Sequence, residues 1–390
     1  MLRTGATIGI LGGGQLARML ALAAARLGLR CHVYAPDERS CAFDVVHAKT
    51  CASYQDEVAL GRFAGSVDVI TYEFENVPAA TAAFLAKRKP VLPDPKVLEI
   101  TQDRLIEKEF IAGLKIATAP YAAVHSAVQL ADAVEMIGLP AVLKTRRLGY
   151  DGKGQARISA VQLADAVEMI GLPAVLKTRR LGYDGKGQAR IAKGTDPMAA
   201  WRTVQTQPCI MEGFIKFERE ISVVAARAAD GKVECFEATE NEHRDHILHI
   251  SRAPARVTPA VAAEARRVAT RIAKAFDYVG VLAVEMFVVR KGGRRHVLVN
   301  EIAPRVHNSG HWTIDGATVS QFEQHIRAVA GMPLAKSVRL GRKVEMVNLI
   351  GTEIDEATRW LSVPGASVHV YHKGEARPRR KMGHVTRVWR

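Results

Sequence analysis

The sequence is poor in cysteine and in aromatic side chains, and it lacks any long uninterrupted hydrophobic run. Its five cysteines, in 390 residues, form no C-x-x-C pair, which argues against both a disulfide framework and a zinc site. The apolar opening is broken by three glycines and by Arg18 before it reaches membrane-spanning length. We therefore predict no targeting signal, no membrane span and a cytoplasmic location. Polar low-complexity tracts are also absent, and a chain of this length with 48% hydrophobic residues is expected to form two or three packed domains.

Acidic residues are outnumbered by basic ones, 40 against 55, which gives a formal net charge of +15. Such an excess suits anionic partners, namely nucleotides, phosphorylated metabolites or nucleic acid. Charge alone does not choose among these three classes of partner.

The first forty residues predict a strand, a glycine turn, a helix and a second strand. The pattern Gly12-x-Gly14-x-x-Ala17 lies at the strand-to-helix turn, and Asp37 follows at the distance of a ribose-binding acid, as in a dinucleotide fingerprint. The same glycines are needed wherever a helix packs closely on a parallel sheet, so an NAD-linked oxidoreductase stays open as one alternative. A later strand ends in a polar, acidic segment with Glu73, Glu75 and Asn76, at the end of the strand where open α/β sheets place ligand contacts. A solvated loop is the alternative.

Residues 126–158 are repeated without a change as residues 159–191. Each copy predicts a helix, a strand that ends in a lysine, the glycine loop "GYDGKGQ" and a further strand. The loop lacks the spacing of a phosphate-binding P-loop, but its N–H groups and lysines could cover a triphosphate; a flexible basic surface loop is the alternative. Repeat proteins diverge between copies and need about three units, so two identical copies indicate a recent duplication.

A predicted hairpin over residues 281–305 carries the most informative pair of acids. Its turn at Gly292 and Gly293 places Glu285 opposite, or one residue off from, Glu301. Like charges that face each other across a sheet persist when a cation lies between them or when one is protonated. Two carboxylates without cysteine or histidine at zinc spacing favour Mg²⁺ that bridges to nucleotide phosphates. The alternative to a metal site is that both acids simply lie on a solvent-exposed face of the sheet.

Three further segments carry candidate ligand contacts. Arg305, in "APRVHNSGHWT", suits a small oxyanion such as bicarbonate, whereas the two histidines of this segment could be ordinary hydrogen-bonding residues. The segment "MEGFI" with the later Glu220 would suit an adenine and a ribose. Lys373, Arg380 and Lys381 form either a phosphate clamp or a basic surface.

Taken together, the segments "GILGGGQLARML", "TYEFENVP", "AVLKTRRLGYDGKGQ", "GVLAVEMFV" and "NEIAPRVHNSGHWT" resemble the ATP-grasp superfamily, and more narrowly the N5-carboxyaminoimidazole ribonucleotide synthetase family. The resemblance covers nearly the whole chain. It implies an α/β ATP-grasp fold with a Rossmann-like preATP-grasp domain at 1–100, an ATP-grasp domain at 101–330 whose lid subdomain spans about 117–215, and a small C-terminal domain at 331–390. The chain departs from the family pattern in its duplicated lid unit, in Arg379 where the family has glycine, and in a C-terminal domain that we expect to be shortened.

The resemblance implies a ligase that uses ATP and Mg²⁺ to carboxylate aminoimidazole ribonucleotide with bicarbonate, through carboxyphosphate, in purine biosynthesis. Its implied partners are these small molecules and a second copy in a homodimer, with no nucleic acid and no membrane. For ATP it implies Arg104, Lys144, Gly149, Gly152, Gly154, Gln155, Lys177, Gly182, Gly185, Gly187, Gln188, Glu212, Gly213, Phe214, Ile215, Glu220, His243, Asn300 and Glu301. For the ribonucleotide it implies Gln15, Glu73, Asn76, Lys373, Arg380 and Lys381; for the metal, Glu285 and Glu301; and for catalysis, Arg305 with Tyr150, Asp151 and Lys153 or their second copies Tyr183, Asp184 and Lys186.

A single ATP site has room for one lid, so at most one copy of the duplicated unit is expected to work. Because the copies are identical, either could do so, and we expect the other to form a loosely docked insertion. The high positive charge and the departures from the family leave open a second alternative, a catalytically inactive protein that binds nucleotides or nucleic acid.

Overall fold

The computed structural model describes residues 1–124, 136, 141–145, 174–177, 188–191 and 209–390. The strands are β1 (Thr7–Leu11), β2 (Arg30–Ala35), β3 (Ala48–Cys51), β4 (Val69–Tyr72), β5 (Tyr121–Val124), β6 (Ala141–Thr145), β7 (Ala174–Lys177), β8 (Gln188–Ile191), β9 (Cys209–Gly213), β10 (Arg219–Arg227), β11 (Val233–Cys235), β12 (Thr239–Arg244), β13 (Ile247–Ala253), β14 (Gly280–Lys291), β15 (Arg294–Ala303), β16 (Lys343–Ile350), β17 (Ala366–Val370) and β18 (Lys381–Trp389). The helices are α1 (Gln15–Arg26), α2 (Glu57–Gly65), α3 (Ala79–Ala86), α4 (Pro95–Thr101), α5 (Arg104–Gly113), α6 (Pro259–Ala275), α7 (Thr313–Gly316), α8 (Gln321–Val329) and α9 (Ala357–Trp360), with 3-10 turns at Cys41–Asp44, Asn308–Gly310 and Gly351–Glu356.

The N-terminal part is a parallel four-stranded sheet in the order β3-β2-β1-β4. The apolar residues of β1, including Ile8 and Ile10, are fully buried, as expected of a central strand covered on both faces. Gly12, with a φ of +106°, turns the chain from β1 toward α1, a conformation that glycine adopts without strain. This arrangement confirms the predicted strand-turn-helix-strand opening.

The largest sheet has nine strands and runs β15-β14-β10-β12-β13-β16-β18-β17, with β11 beside β10. The predicted hairpin is confirmed: β14 and β15 pair antiparallel, and Gly292 and Gly293 have φ values of +56° and +75°, the left-handed values of a tight hairpin turn. Helix α6 begins after Thr258, whose hydroxyl accepts the N–H of Val261. Its apolar stripe packs on this sheet, as the 3.6-residue period predicts.

The third sheet has the order β5-β9-β6-β7-β8. Strand β6 comes from the first copy of the duplicated unit and pairs antiparallel with β9, whereas β7 comes from the second copy and pairs parallel with β6. Lys144 and Lys177 are register partners. The expected loosely docked insertion is thus not separate from the sheet at these two strands, since both copies contribute a strand to it. The glycine loops of both copies lie outside the described residues, so which copy works stays a prediction.

Strand β16 pairs with β13 and with β18, so the nine-stranded sheet continues across residue 330. The domain boundaries at residues 100 and 330 stay predictions. Within the described part of the chain, the helices are too short or too polar to cross a membrane.

Candidate active site

Glu285 of β14 and Glu301 of β15 are register partners in the antiparallel hairpin, which is the facing arrangement that the turn position predicted. The ladder shifts by one residue just beyond this pair, between Glu285 and Met286. Glu285 is buried and Glu301 is exposed, so the pair lies at the border between the buried part of the sheet and solvent. Two carboxylates in this position offer oxygen ligands to a hard divalent cation.

His307 contacts the buried member of this pair, with its Nε2 2.9 Å from Glu285 Oε1. Burial opposes ionisation of Glu285, but the contacts with His307, His243 and Lys381 outweigh it and hold the pKa of Glu285 at about 2. The side-chain amide of Gln321 fixes the backbone of His307 by bonding to both its N–H and its carbonyl oxygen, at 2.9 and 2.6 Å. The imidazole Nδ1 lies 2.8 Å from the Ser309 hydroxyl, which completes its orientation.

The sequence reasoning left His307 out of the candidate site. The missed signal was its position two residues after Arg305, on the segment that follows β15 directly. Its role depends on the contact with Glu285, which is distant in the chain.

Glu220 of β10 and His243 of β12 lie beside the buried carboxylate. His243 Nδ1 is 3.0 Å from Glu220 Oε2, and one ligand atom from each of Glu220, His243 and Glu285 lies within 4.8 Å of the other two. Burial lowers the pKa of His243, but the hydrogen bond and charge of Glu220 outweigh it, so the net shift is upward. The structure therefore brings these predicted nucleotide residues against the predicted metal residues.

Glu73 lies inside the glycine turn that follows β1. The N–H of Gly14 donates to Glu73 Oε1 at 2.8 Å, and a Cβ added at Gly12 would lie 2.6 Å from the same oxygen. Burial raises the pKa of Glu73, and the bond from Gly14 opposes that rise. A dinucleotide pyrophosphate would need the space that this carboxylate fills, so the NAD alternative does not fit the turn.

Arg305 follows the β14–β15 hairpin that carries Glu285 and Glu301 (the acid hairpin), and it forms an ion pair with Glu75, which follows β4 in the N-terminal domain. Burial lowers the pKa of Arg305 to about 10, and the carboxylate of Glu73 opposes this effect. The guanidinium therefore stays cationic at neutral pH while it is largely shielded from water. A shielded cation of this kind binds a small oxyanion more strongly than an exposed one would.

The C-terminal basic segment closes another side of this region. Burial lowers the pKa of Lys373 to about 8, and the charges of Arg380 and Lys381 act in the same direction. The charge of Lys381 also lowers the pKa of Glu285 and opposes the upward shift of the His243 pKa, so Lys381 lies near both residues. Lys373 in turn interacts with Glu73 in the glycine turn, so this basic group extends from the acid pair to the glycine turn.

The remaining predicted residues fall into three groups. Gln15 begins α1 and Arg104 begins α5, while Asn76 is half-buried in the loop after β4. Glu212 and Gly213 end β9, and Phe214 and Ile215 follow it. Lys144, Lys177 and Gln188 are placed by strand register alone, and the loop residues Gly149, Tyr150, Asp151, Gly152, Lys153, Gly154, Gln155, Gly182, Tyr183, Asp184, Gly185, Lys186 and Gly187 lie outside the described residues.

Comparison with protein families gives three matches along the chain. Residues 5–102 match the ribonucleotide synthetase preATP-grasp domain, residues 109–164 and 159–322 match the ATP-grasp domain, and residues 345–389 match the phosphoribosylaminoimidazole carboxylase C-terminal domain. The two ATP-grasp matches overlap at residues 159–164, within the duplicated unit.

Similar proteins share nearly the full length. The chain is 44% identical over 387 residues to the N5-carboxyaminoimidazole ribonucleotide synthase of Brucella melitensis, covering 99% of this chain and 97% of that one. The N5-carboxyaminoimidazole synthetase of Staphylococcus aureus, solved with ADP, superposes with a TM-score of 0.85 at 33% identity, covering 99% and 94% of the two chains. The Aspergillus clavatus synthase, solved with ADP and 5-aminoimidazole ribonucleotide, gives a TM-score of 0.82 at 28% identity, with the same coverage.

The three sheets, the acid hairpin and the matched domains define an ATP-grasp ligase. Within that class, the chain belongs to the N5-carboxyaminoimidazole ribonucleotide synthase family.

Proposed function

We propose that this protein carries out the reaction of its family, the ATP-dependent carboxylation of 5-aminoimidazole ribonucleotide with bicarbonate. The products are N5-carboxyaminoimidazole ribonucleotide, ADP and phosphate. The observation that carries the proposal is the facing pair Glu285 and Glu301, whose buried member contacts His307 and lies near the cationic residue Lys381. The family comparison supports ATP and the ribonucleotide as substrates, while bicarbonate is proposed from the chemistry of the site.

Magnesium fits the donor set of the acid pair. Both ligands are carboxylates, and the low pKa of Glu285 keeps it ionised at neutral pH, as binding of a hard cation requires. Glu285 and Glu301 would hold the ion, which would supply charge neutralisation for the transferred phosphoryl group. Glu220 and His243 are close enough to orient the nucleotide at the same place.

Arg305 is proposed to hold bicarbonate. In the first step a bicarbonate oxygen attacks the γ-phosphorus of ATP, the bond to ADP breaks, and carboxyphosphate forms. A buried guanidinium can pair with both oxygens of a carboxylate in a planar fork, and its ion pair with Glu75 keeps it in place before the substrate arrives. Its charge would stabilise the negative charge carried by the bicarbonate as it attacks.

The second step is attack of the exocyclic amine on the carbonyl carbon of carboxyphosphate, which expels phosphate as the amine loses a proton. Lys373 and Arg380 are proposed to bind the phosphate of the ribonucleotide, and Glu73 with Asn76 and Gln15 to contact the remainder of it. Carboxyphosphate is short-lived in water, so both substrates must be held in one water-excluding site. The close approach of the glycine turn, Arg305 and the C-terminal segment supports such a site.

The double variant Glu285→Gln, Glu301→Gln tests the proposal. We expect it to lose ADP formation that depends on both bicarbonate and the ribonucleotide, because the amides cannot neutralise the metal. Glu109→Gln, at an exposed position of α5, is the matched control and should keep the parental rate. Full turnover by the double variant would refute the metal assignment, and a parent chain without bicarbonate-dependent ADP release would refute the function. Association as a homodimer and a cytoplasmic location stay predictions.

A further inference from the structure

Glu107 and Lys108 are consecutive charged residues of α5 that are almost completely buried, with 3% and 1% of their surfaces exposed. The reaction proposed above uses neither of them. A carboxyl and an ammonium group are costly to bury unless hydrogen bonds replace the lost water. Their partners therefore indicate what they do.

Lys108 uses its ammonium donors on one short part of the chain. Its Nζ donates to Asn300 O and Thr118 Oγ1, both at 2.8 Å, and to Val299 O at 3.3 Å. The Thr118 hydroxyl donates to Val299 O as well, at 2.8 Å. Lys108 thus binds two consecutive carbonyl groups of β15, immediately before Glu301.

Glu107 binds the same strand on the other side of Glu301. The N–H of Ile302 donates to Glu107 Oε1 at 2.7 Å. Burial raises the pKa of Glu107 to about 8, against the opposing charge of Lys108, and in either protonation state the carboxyl group offers an oxygen to this N–H. The two side chains therefore clamp the backbone before and after one residue.

Strand β15 needs such partners because it forms an edge of the nine-stranded sheet. The outward N–H and C=O groups of an edge strand have no neighbouring strand to satisfy them. Val299 forms an isolated bridge with Thr118, and its N–H donates to Ala117 O at 2.9 Å. From the carbonyl group of Val299 to the N–H of Ile302, the side chains of α5 and of Thr118 supply the partners. The clamp coincides with the register shift, where Met286 pairs with Val299 but Glu285 pairs with Glu301, which leaves Asn300 as the extra residue.

The extra residue decides which face of the sheet Glu301 occupies. A regular antiparallel ladder continued from Met286 and Val299 would pair Glu301 with Val284, a residue of the apolar core. The bulge changes the alternation, so that Ile302 faces this core instead and Glu301 lies opposite Glu285. A one-residue shift of this kind transfers a side chain to the other face.

We propose that Glu107 and Lys108 are positioning residues that hold the β15 bulge and thereby place Glu301 beside Glu285 at the metal site. The inference rests on the proposed function, because it gives the acid pair its role as metal ligands. Neither side chain touches the substrates in this scheme; both act through the backbone of Asn300 and Ile302.

The test measures Mn²⁺, as the probe for magnesium, by electron paramagnetic resonance in the presence of ADP. Lys108→Met and Glu107→Met remove the donors and the acceptor and should weaken Mn²⁺ binding at least tenfold, while the dissociation constant of the ribonucleotide changes less than threefold. Glu107→Gln keeps an acceptor oxygen of the same shape and should restore parental Mn²⁺ binding. Glu109→Met, on the exposed side of the same helix, is the control for the loss of an acid.

Thr118→Val removes only one hydroxyl from the same carbonyl group and serves if either methionine variant fails to fold; it too should weaken Mn²⁺ binding. Parental Mn²⁺ affinity in the folded variants would overturn the inference, as would an equal loss for Mn²⁺ and for the ribonucleotide. Glu301→Gln tests the metal site independently of Glu107 and Lys108. If Glu301→Gln leaves Mn²⁺ binding unchanged, the proposed metal site itself fails; if it abolishes binding and the clamp variants do not, only the clamp inference fails.

Discussion

Replacing Lys144 and Lys177 separately by alanine should weaken ATP binding to very different extents, although the two lysines lie in identical stretches of sequence. Strand β6, which carries Lys144, is bonded directly to β9, and β9 leads into the segment 212–215 that is proposed to hold the adenine. Strand β7, which carries Lys177, is one position farther out. We therefore expect Lys144 to be the lysine that binds the ATP phosphates.

The expected magnitudes follow from the strand spacing. A hydrogen bond to a charged group contributes about 1.5–3 kcal/mol, so Lys144→Ala should weaken ATP binding by about 10- to 150-fold. Neighbouring strands lie about 4.8 Å apart, which would place the charge of Lys177 about 8 Å from the same phosphate. At that distance in water the attraction is only about 0.5 kcal/mol, so Lys177→Ala should change the affinity by roughly twofold.

Titration calorimetry with ATP, together with the KM for ATP at saturating ribonucleotide, gives both numbers. The double variant serves as the reference for complete loss. A larger loss in Lys177→Ala than in Lys144→Ala would refute the reasoning. So would two harmless single variants with an inactive double variant, because that result would mean that the two identical strands exchange places.

Three further predictions concern other parts of the site and the fold. The KM for the ribonucleotide should rise between pH 7 and pH 9 as Lys373 loses its proton near its pKa of about 8, and steady-state kinetics of Lys373→Arg should show a flatter profile because arginine stays charged. His325 accepts the N–H of Val281 and binds the Thr71 hydroxyl, and burial lowers its pKa to about 4. Because the unfolded chain binds this proton below pH 6.5 and the folded chain does not, the free energy of unfolding should fall by about 1.4 kcal/mol for each pH unit between 6.5 and 4. Urea titrations of His325→Asn should show a smaller dependence of the unfolding free energy on pH. Gly12→Ala should lower the free energy of unfolding by about 1–3 kcal/mol, because a φ of +106° is strained for alanine. By displacing Glu73 it should also raise the KM for the ribonucleotide but not the KM for ATP. An unchanged KM for the ribonucleotide would contradict the proposed contact between Glu73 and this substrate.

The features that the sequence predicted correctly are those set by neighbouring residues. The hairpin and its facing acids follow from the turn at Gly292 and Gly293, because turn position fixes the register of two strands. The opening β1-α1-β2 unit follows in the same way from local periodicity and the glycine turn. The family resemblance extended these local features to an architecture, which the comparisons confirm.

The features that the sequence did not predict depend on distant contacts. Glu73 enters the glycine turn from 59 residues away, and Glu107 reaches Ile302 across 195 residues. No periodic pattern encodes such a contact. The order of β6 and β7 is a different case: identical segments have the same propensities, so only pairing with β9 distinguishes the copies.

The carboxylate inside the glycine turn has a consequence for how the N-terminal domain is used. In dinucleotide-binding domains the corresponding turn binds a phosphate group of the cofactor. Here the carboxyl group of Glu73 occupies that place at Gly14, and because it belongs to the chain it is always present. With its anion-binding position already occupied by Glu73, the glycine turn can line the ribonucleotide site proposed above instead of binding a cofactor. Dinucleotides added at millimolar concentration should accordingly leave the KM and kcat for ATP unchanged. Compounds designed to bind dinucleotide-binding domains should not inhibit this enzyme.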